Sequence, residues 1–147
     1  SELLHTNLLG ASAMLALAYL AIALLLLVRV HAIRVLWLLS VPLLATLVAL
    51  AGLLLAGDAL NLFHVFAFYL VLGLGMDYAI FLYESSPRET DTAVAVLLSA
   101  ITSCLSFGLL SLSSTPMISA FGLAILLGVI ANLLVAPLLV ERARTDS

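Results

Sequence analysis

The chain has 147 residues, of which 65% are apolar and only 9% are charged. A soluble domain carries about 25% charged residues, so this composition excludes an ordinary soluble enzyme and indicates an integral membrane protein. The five basic residues are all arginines in short polar segments, and no basic cluster suggests a nucleic-acid partner.

Five segments are long and apolar enough to cross a bilayer, which takes about 20 residues per helix. Short polar or turn-forming stretches separate these segments. The predicted spans are residues 8–28, 35–56, 60–83, 92–112 and 117–140. The sequence therefore predicts an all-α, polytopic helical bundle that forms a single transmembrane domain over residues 1–147.

The arginines indicate how this bundle is oriented. They lie in the first loop, the third loop and the C-terminal tail, which share one side of a five-span chain: Arg29, Arg34, Arg88, Arg142 and Arg144. The opposite side holds Asp58 and no arginine. The positive-inside rule then puts the C-terminus in the cytoplasm and the N-terminus outside. Because the first span lacks an initiator Met and a basic segment before it, we expect a longer chain to precede it.

The third predicted span contains one carboxylate, Asp77. A charge near the middle of a bilayer costs about 2.5–3.5 kcal/mol on insertion scales, so Asp77 needs a partner or a use. It could be a structural hydrogen bonder to another helix. Alternatively it could carry a proton, since burial favours the neutral form of a carboxylic acid. Gly73 and Gly75 lie on opposite faces of this helix, and each clears space for a neighbouring helix.

Polar side chains also mark the fourth and fifth spans. The fourth has a stripe of hydroxyl residues, whose main members are Ser99, Thr102, Ser103 and Ser106. These hydroxyls either bond to carbonyls of their own helix or solvate Asp77. In the fifth span, Gly128 and Asn132 belong to a row of small residues that predicts a packing seam, with Asn132 bonding across it. No residue spacing suggests a metal site or a cofactor.

The string Gly73-Leu74-Gly75-Met76-Asp77-Tyr78-Ala79-Ile80-Phe81-Leu82 resembles the fourth or tenth helix of the resistance-nodulation-division (RND) superfamily. Its nearest counterpart is in the MmpL-like lipid exporters. The stretches 99–108 and 121–137 resemble the next two helices of these transporters. The whole chain is similar to the five-helix block that follows the extracytoplasmic domain in each half, and the short tail favours the C-terminal half.

This resemblance implies a component of a secondary active transporter rather than an enzyme. The transporter would use the proton-motive force to export lipids or hydrophobic molecules across the bacterial inner membrane. Asp77 and Tyr78 would form the proton relay, with the hydroxyl stripe in support. The implied partners are membrane lipids, the other transporter half, the porter domains and the hydrophobic or lipid substrate.

Two other functions remain open at this stage. A non-transporting sterol- or lipid-sensing module would have the same five helices without the pump. An intramembrane aspartyl protease has a Gly-x-Gly-Asp signature, but here Met76 separates Gly75 from Asp77. Such an enzyme also needs two carboxylates together, and Asp58, the other candidate, is predicted at the outer turn.

Overall fold

The computed structural model describes residues 2–29, 31–55, 57, 61–85 and 90–145. The described chain forms five α-helices: α1 (Glu2–Arg29), α2 (Ala32–Leu55), α3 (Leu62–Glu84), α4 (Thr90–Ser111) and α5 (Pro116–Thr145). Each contains a stretch long and apolar enough to span a membrane. The predictions of an all-helical fold, five candidate spans and an integral membrane protein are therefore confirmed. Some helices exceed the predicted spans, because a helix can continue into water beyond its apolar part.

Helix α5 is the centre of the bundle. It packs on α2, α3 and α4, whereas α1 lies at the periphery against α2 and α3. The buried face of α5 includes small residues such as Ala124 and Gly128, which let neighbouring helices approach closely. The candidate span of α1, Gly10–Val28, is strongly apolar and exposes large side chains such as Leu17 and Leu25. In a membrane, most of the surface of α1 is therefore available to lipid or to further protein.

The start of α3 is held by a capping box. The Asn61 side chain accepts hydrogen bonds from the backbone nitrogens of Phe63 at 2.9 Å and His64 at 3.3 Å. In return, the Asn61 backbone nitrogen donates to His64 Nδ1 at 3.1 Å. These bonds supply partners for backbone N–H groups that no preceding helical turn can satisfy. The cap defines where α3 begins.

Arginine side chains join three segments at the opposite end of α3. Arg144 donates hydrogen bonds to the carbonyl oxygens of Leu82, Tyr83 and Ser85, where α3 ends. Arg34, at the start of α2, donates to the Tyr83 hydroxyl at 3.4 Å. The start of α2, the end of α3 and the end of α5 therefore meet at one end of the bundle, called here the arginine end. Asp58 and Arg88, which enter the orientation prediction, lie outside the described residues.

Candidate functional site

Asp77 lies on a face of α3 that the rest of the described chain does not cover. The exposed residues of this face recur at helical spacing along the whole helix: Phe63, Phe66, Leu70, Gly73, Asp77, Phe81 and Glu84. Asp77 makes no hydrogen bond or ion pair with any described residue. The carboxylate therefore stands in an apolar stripe, in the part of α3 nearer the arginine end, without a partner from the described helices.

An open cavity of about 460 Å³ lies beside Asp77, between α3 and α4. Its walls are mainly apolar, and five of its lining residues carry polar side chains. The lining residues are Leu74, Asp77, Tyr78, Phe81, Asp91, Thr92, Ala95, Val96 and Ser99. The fold thus brings Asp77, Tyr78 and Ser99, three of the residues singled out in the sequence, to one cavity.

Tyr78 borders the same cavity from a different environment. It is only 3% exposed, whereas Asp77 is exposed. Consecutive helical residues project about 100° apart, which explains this difference. The buried Tyr78 hydroxyl has no hydrogen-bond partner among the described residues. An unsatisfied buried polar group costs about 1–3 kcal/mol, so a water molecule in the adjoining cavity would stabilise it.

The hydroxyl stripe of α4 divides into two parts. Ser99 lines the cavity, whereas Thr102, Ser103 and Ser106 do not. The exposed hydroxyls of Thr102 and Ser106 donate to the carbonyl oxygens of Leu98 and Thr102, each at 2.9 Å. Of the two alternatives open from the sequence, bonding to the carbonyls of the same helix therefore describes Thr102 and Ser106, whereas Ser99 is placed where it can solvate Asp77. The reason is that α4 packs chiefly on α5 and only briefly on α3, despite the short connection to α3.

The small residues of α3 and α5 form a close seam on the other side of α3. Asn132 is fully buried, and its Nδ2 donates to the Val71 carbonyl oxygen at 3.0 Å. A methyl group at Gly75 would overlap the Asn132 side chain, and one at Gly128 would overlap Val71. Gly73 differs, because a methyl group there would meet nothing within 4 Å. Within the described part of the chain, Gly73 has no neighbouring backbone to accommodate.

Sequence inspection did not single out two features of this region. Asp91 and Thr92 extend the polar lining of the cavity to the start of α4. They precede Ser99 by eight and seven residues, and this spacing is the signal that one helical face carries all three. Gly122 of α5 contacts α4 closely, since a Cβ there would lie 2.6 Å from the Ser111 backbone nitrogen. Its only sequence signal was its place in a helix rich in small residues.

The described residues contain no group of three or more His, Cys, Asp or Glu side chains that could hold a metal ion. Comparisons with known protein families, with curated proteins and with solved structures find no match to this chain. What the chain does must therefore be inferred from its own residues and their geometry.

Proposed function

We propose that the chain is the transmembrane block of a proton-driven exporter of the RND superfamily, similar to the MmpL-like lipid exporters. Asp77 takes up and releases the transported proton, and Tyr78 assists it. The observation that supports this most is a carboxylate without a partner among the described residues, on a candidate membrane-spanning helix and beside a cavity with further polar groups.

The cost of this carboxylate favours a use over a purely structural role. If its face met lipid, the charge would cost up to about 2.5–3.5 kcal/mol, the value at mid-membrane. A structural hydrogen bonder recovers such a cost through a bond to another helix, as Asn132 does with Val71. Asp77 has no such bond within the described chain. A carboxyl that must change its protonation state is better served by water and a movable partner than by a fixed bond.

The uncovered face of α3 is suited to a second protein element that packs against Asp77. Gly73 leaves space one turn from the carboxylate, and Phe66 and Leu70 supply apolar contact area on the same face. Transporters built from two related halves usually place their coupling site between the halves. We therefore assign this face to the other half of the transporter, with porter domains that select a lipid or hydrophobic substrate.

The direction of proton flow follows from the arginines. The positive-inside rule places the arginine end in the cytoplasm and the N-terminus outside, in a bacterial inner membrane. A proton that crosses the membrane by way of Asp77 and leaves at the arginine end releases about 2.3 kcal/mol of free energy per 100 mV of membrane potential. Export of a hydrophobic molecule can be coupled to this release of free energy.

Replacement of Asp77 tests the proposal directly. In the full-length protein, Asp77→Asn should abolish substrate export driven by an imposed pH gradient in membrane vesicles, because an amide keeps the size but cannot exchange a proton. Tyr78→Phe should slow export less, since the Tyr78 hydroxyl serves the relay as a hydrogen-bond donor rather than as the proton carrier.

Asp77→Glu is the matched control, since it restores a titratable carboxyl and should retain part of the export rate. Expression and membrane insertion of all variants are compared by immunoblotting of membrane fractions. Gradient-dependent export by Asp77→Asn at a near-normal rate would show that Asp77 is not the proton carrier. Absence of any export by the unmodified protein would favour the non-transporting lipid-sensing module.

A further inference from the structure

The cavity beside Asp77 has a direction along the bundle. On α4 its lining runs from Asp91 to Ser99, and eight residues of helix are about 12 Å long. Helix α4 starts where α3 ends, and Arg144 marks that end as the arginine end. The cavity therefore extends inward from the arginine end to the level of Asp77, which is about 10 Å along α3 from Glu84.

We propose that this cavity is a water-filled inlet from the arginine end to Asp77, and that Asp91 at its mouth exchanges protons between the inlet and bulk water. The role of Asp91 rests on the proposed function of Asp77, whereas the inlet itself does not. Asp91 is exposed in the first turn of α4, at the outer limit of the lining.

Polar groups along the inlet give water the partners that it needs. The Tyr78 hydroxyl is buried and has no partner among the described residues. The Ser99 hydroxyl and the Asp77 carboxylate also form no hydrogen bond within the described chain. An ordered water makes about two to four hydrogen bonds to such groups, and a cavity of about 460 Å³ has room for several waters. Filling the inlet with water thus satisfies groups that the described residues leave without a partner.

The proton step through the inlet is balanced. The O–H bond of neutral Asp77 breaks, a chain of water molecules carries the proton, and an O–H bond forms on the Asp91 carboxylate. Asp91 then releases the proton to bulk water and is ionised again.

Among the described residues, Asp77 and Asp91 are the only carboxylates that line the inlet. From α3 the titratable side chains that line the inlet are Asp77 and Tyr78, and from α4 the only one is Asp91. Helix α5 packs on both helices but contributes no described residue to the lining. Glu84 and Arg144 are at the same end of the bundle, and neither lines the inlet.

Thiol labelling tests the inlet without reference to transport. Single cysteines are introduced by Ser99→Cys or Leu98→Cys in the full-length protein carrying Cys104→Ser, and a charged, membrane-impermeant methanethiosulfonate is added to vesicles of either orientation. Leu98 is the matched control, because it is exposed at the same depth on α4 but does not line the cavity. Thr145→Cys at the end of α5 identifies the vesicles whose arginine end faces the reagent.

Water in the inlet allows the thiolate to form, so Ser99→Cys should react at least about tenfold faster than Leu98→Cys. The fast reaction should occur only in vesicles that also label Thr145→Cys. Equal rates for Ser99→Cys and Leu98→Cys, or labelling of Ser99→Cys from the opposite side alone, would overturn the inlet.

Transport measurements test Asp91. Asp91→Asn should slow gradient-driven export by about tenfold. Loss of a positioned proton-transfer group typically costs about a hundredfold or more, but water at the mouth of the inlet can partly replace the Asp91 carboxylate. Inorganic phosphate on the arginine side should restore the rate, because a mobile buffer replaces the fixed carboxylate. Asp91→Glu should stay active, and Glu84→Gln is the control at the same end.

Two results would overturn the role of Asp91: full activity of Asp91→Asn, or a slow rate that phosphate does not restore. The second result would assign Asp91 to the start of α4 alone, where its charge favours the helix. Labelling of Ser99→Cys reports the inlet even if Asp77→Asn transports normally. Failure of the inlet and failure of the proton-carrier function are therefore separate results.

Discussion

Two faces of α3 each have a glycine close to a polar side chain, but only one of these faces is covered by another described helix. Each face has a glycine within one turn of a polar side chain: Gly75 beside Asn132 of α5, and Gly73 beside Asp77 of α3 itself. On the α5 side the space at Gly75 is filled by a fully buried amide. On the other side nothing lies within 4 Å of a methyl group placed at Gly73.

This difference separates residues that fold the block from residues that its fold leaves available. The face towards α5 holds the helices together through close packing and one buried hydrogen bond. The face with Asp77 is not covered by another described helix, and it carries an acidic group whose charge costs free energy in a membrane. A small residue beside a polar residue on a membrane helix therefore indicates either a packing seam or an available site, and only the neighbouring helices decide which.

A bulky residue at the filled glycine should have the largest effect on stability. Gly75→Val should lower the free energy of unfolding by about 3 kcal/mol or more, because its side chain overlaps Asn132 and forces α3 away from α5. Unfolding of the purified protein in mixed micelles with increasing SDS, followed by circular dichroism, measures this change.

Gly73→Val is the matched control on the same helix, two residues away. It should change the free energy of unfolding by no more than about 0.5 kcal/mol, as exposed substitutions usually do. Equal destabilisation by the two variants would mean that the Asp77 face is also packed within the block, and the contrast between the faces would be lost.

Removal of the buried amide should have a smaller effect. Asn132→Ala loses the bond to the Val71 carbonyl oxygen without adding any overlap, and hydrogen bonds between membrane helices contribute about 0.6 kcal/mol on average. With the small void left behind, we expect a loss of about 1–2 kcal/mol. Leu134→Ala, at an exposed position of α5, is the control. An Asn132→Ala variant as stable as this control would show that the bond does not stabilise the seam.

The sequence predicted those parts of the structure that the membrane itself imposes. The five spans follow from the need to satisfy every backbone group inside hydrocarbon. The Arg34 and Arg144 contacts bring the start of α2 and the ends of α3 and α5 to one end of the bundle, and the compartment that this end faces stays a prediction. Which helices pack together was harder to predict, because the short connection gives α4 only a brief contact with α3 and its main contact is with α5. Nothing in the string around Asp77 told which of Gly73 and Gly75 would meet another helix. The place of Asp91 in the cavity was not predicted, because an acidic residue in the first turn of a helix is common for reasons unrelated to function.

The smallest predicted effect separates Ser99 from the rest of the hydroxyl stripe. Ser106 donates its hydroxyl to its own helix at the Thr102 carbonyl oxygen, 2.9 Å away, so Ser106→Ala should leave both stability and gradient-driven export almost unchanged. Ser99 lines the cavity with Asp77, and Ser99→Ala should slow export modestly by removing one partner of the inlet water. Export by the two variants in vesicles, at matched expression, distinguishes them. If Ser106→Ala slows export as much as Ser99→Ala does, the stripe acts as one surface against a partner helix, and the division that the cavity makes within α4 is wrong.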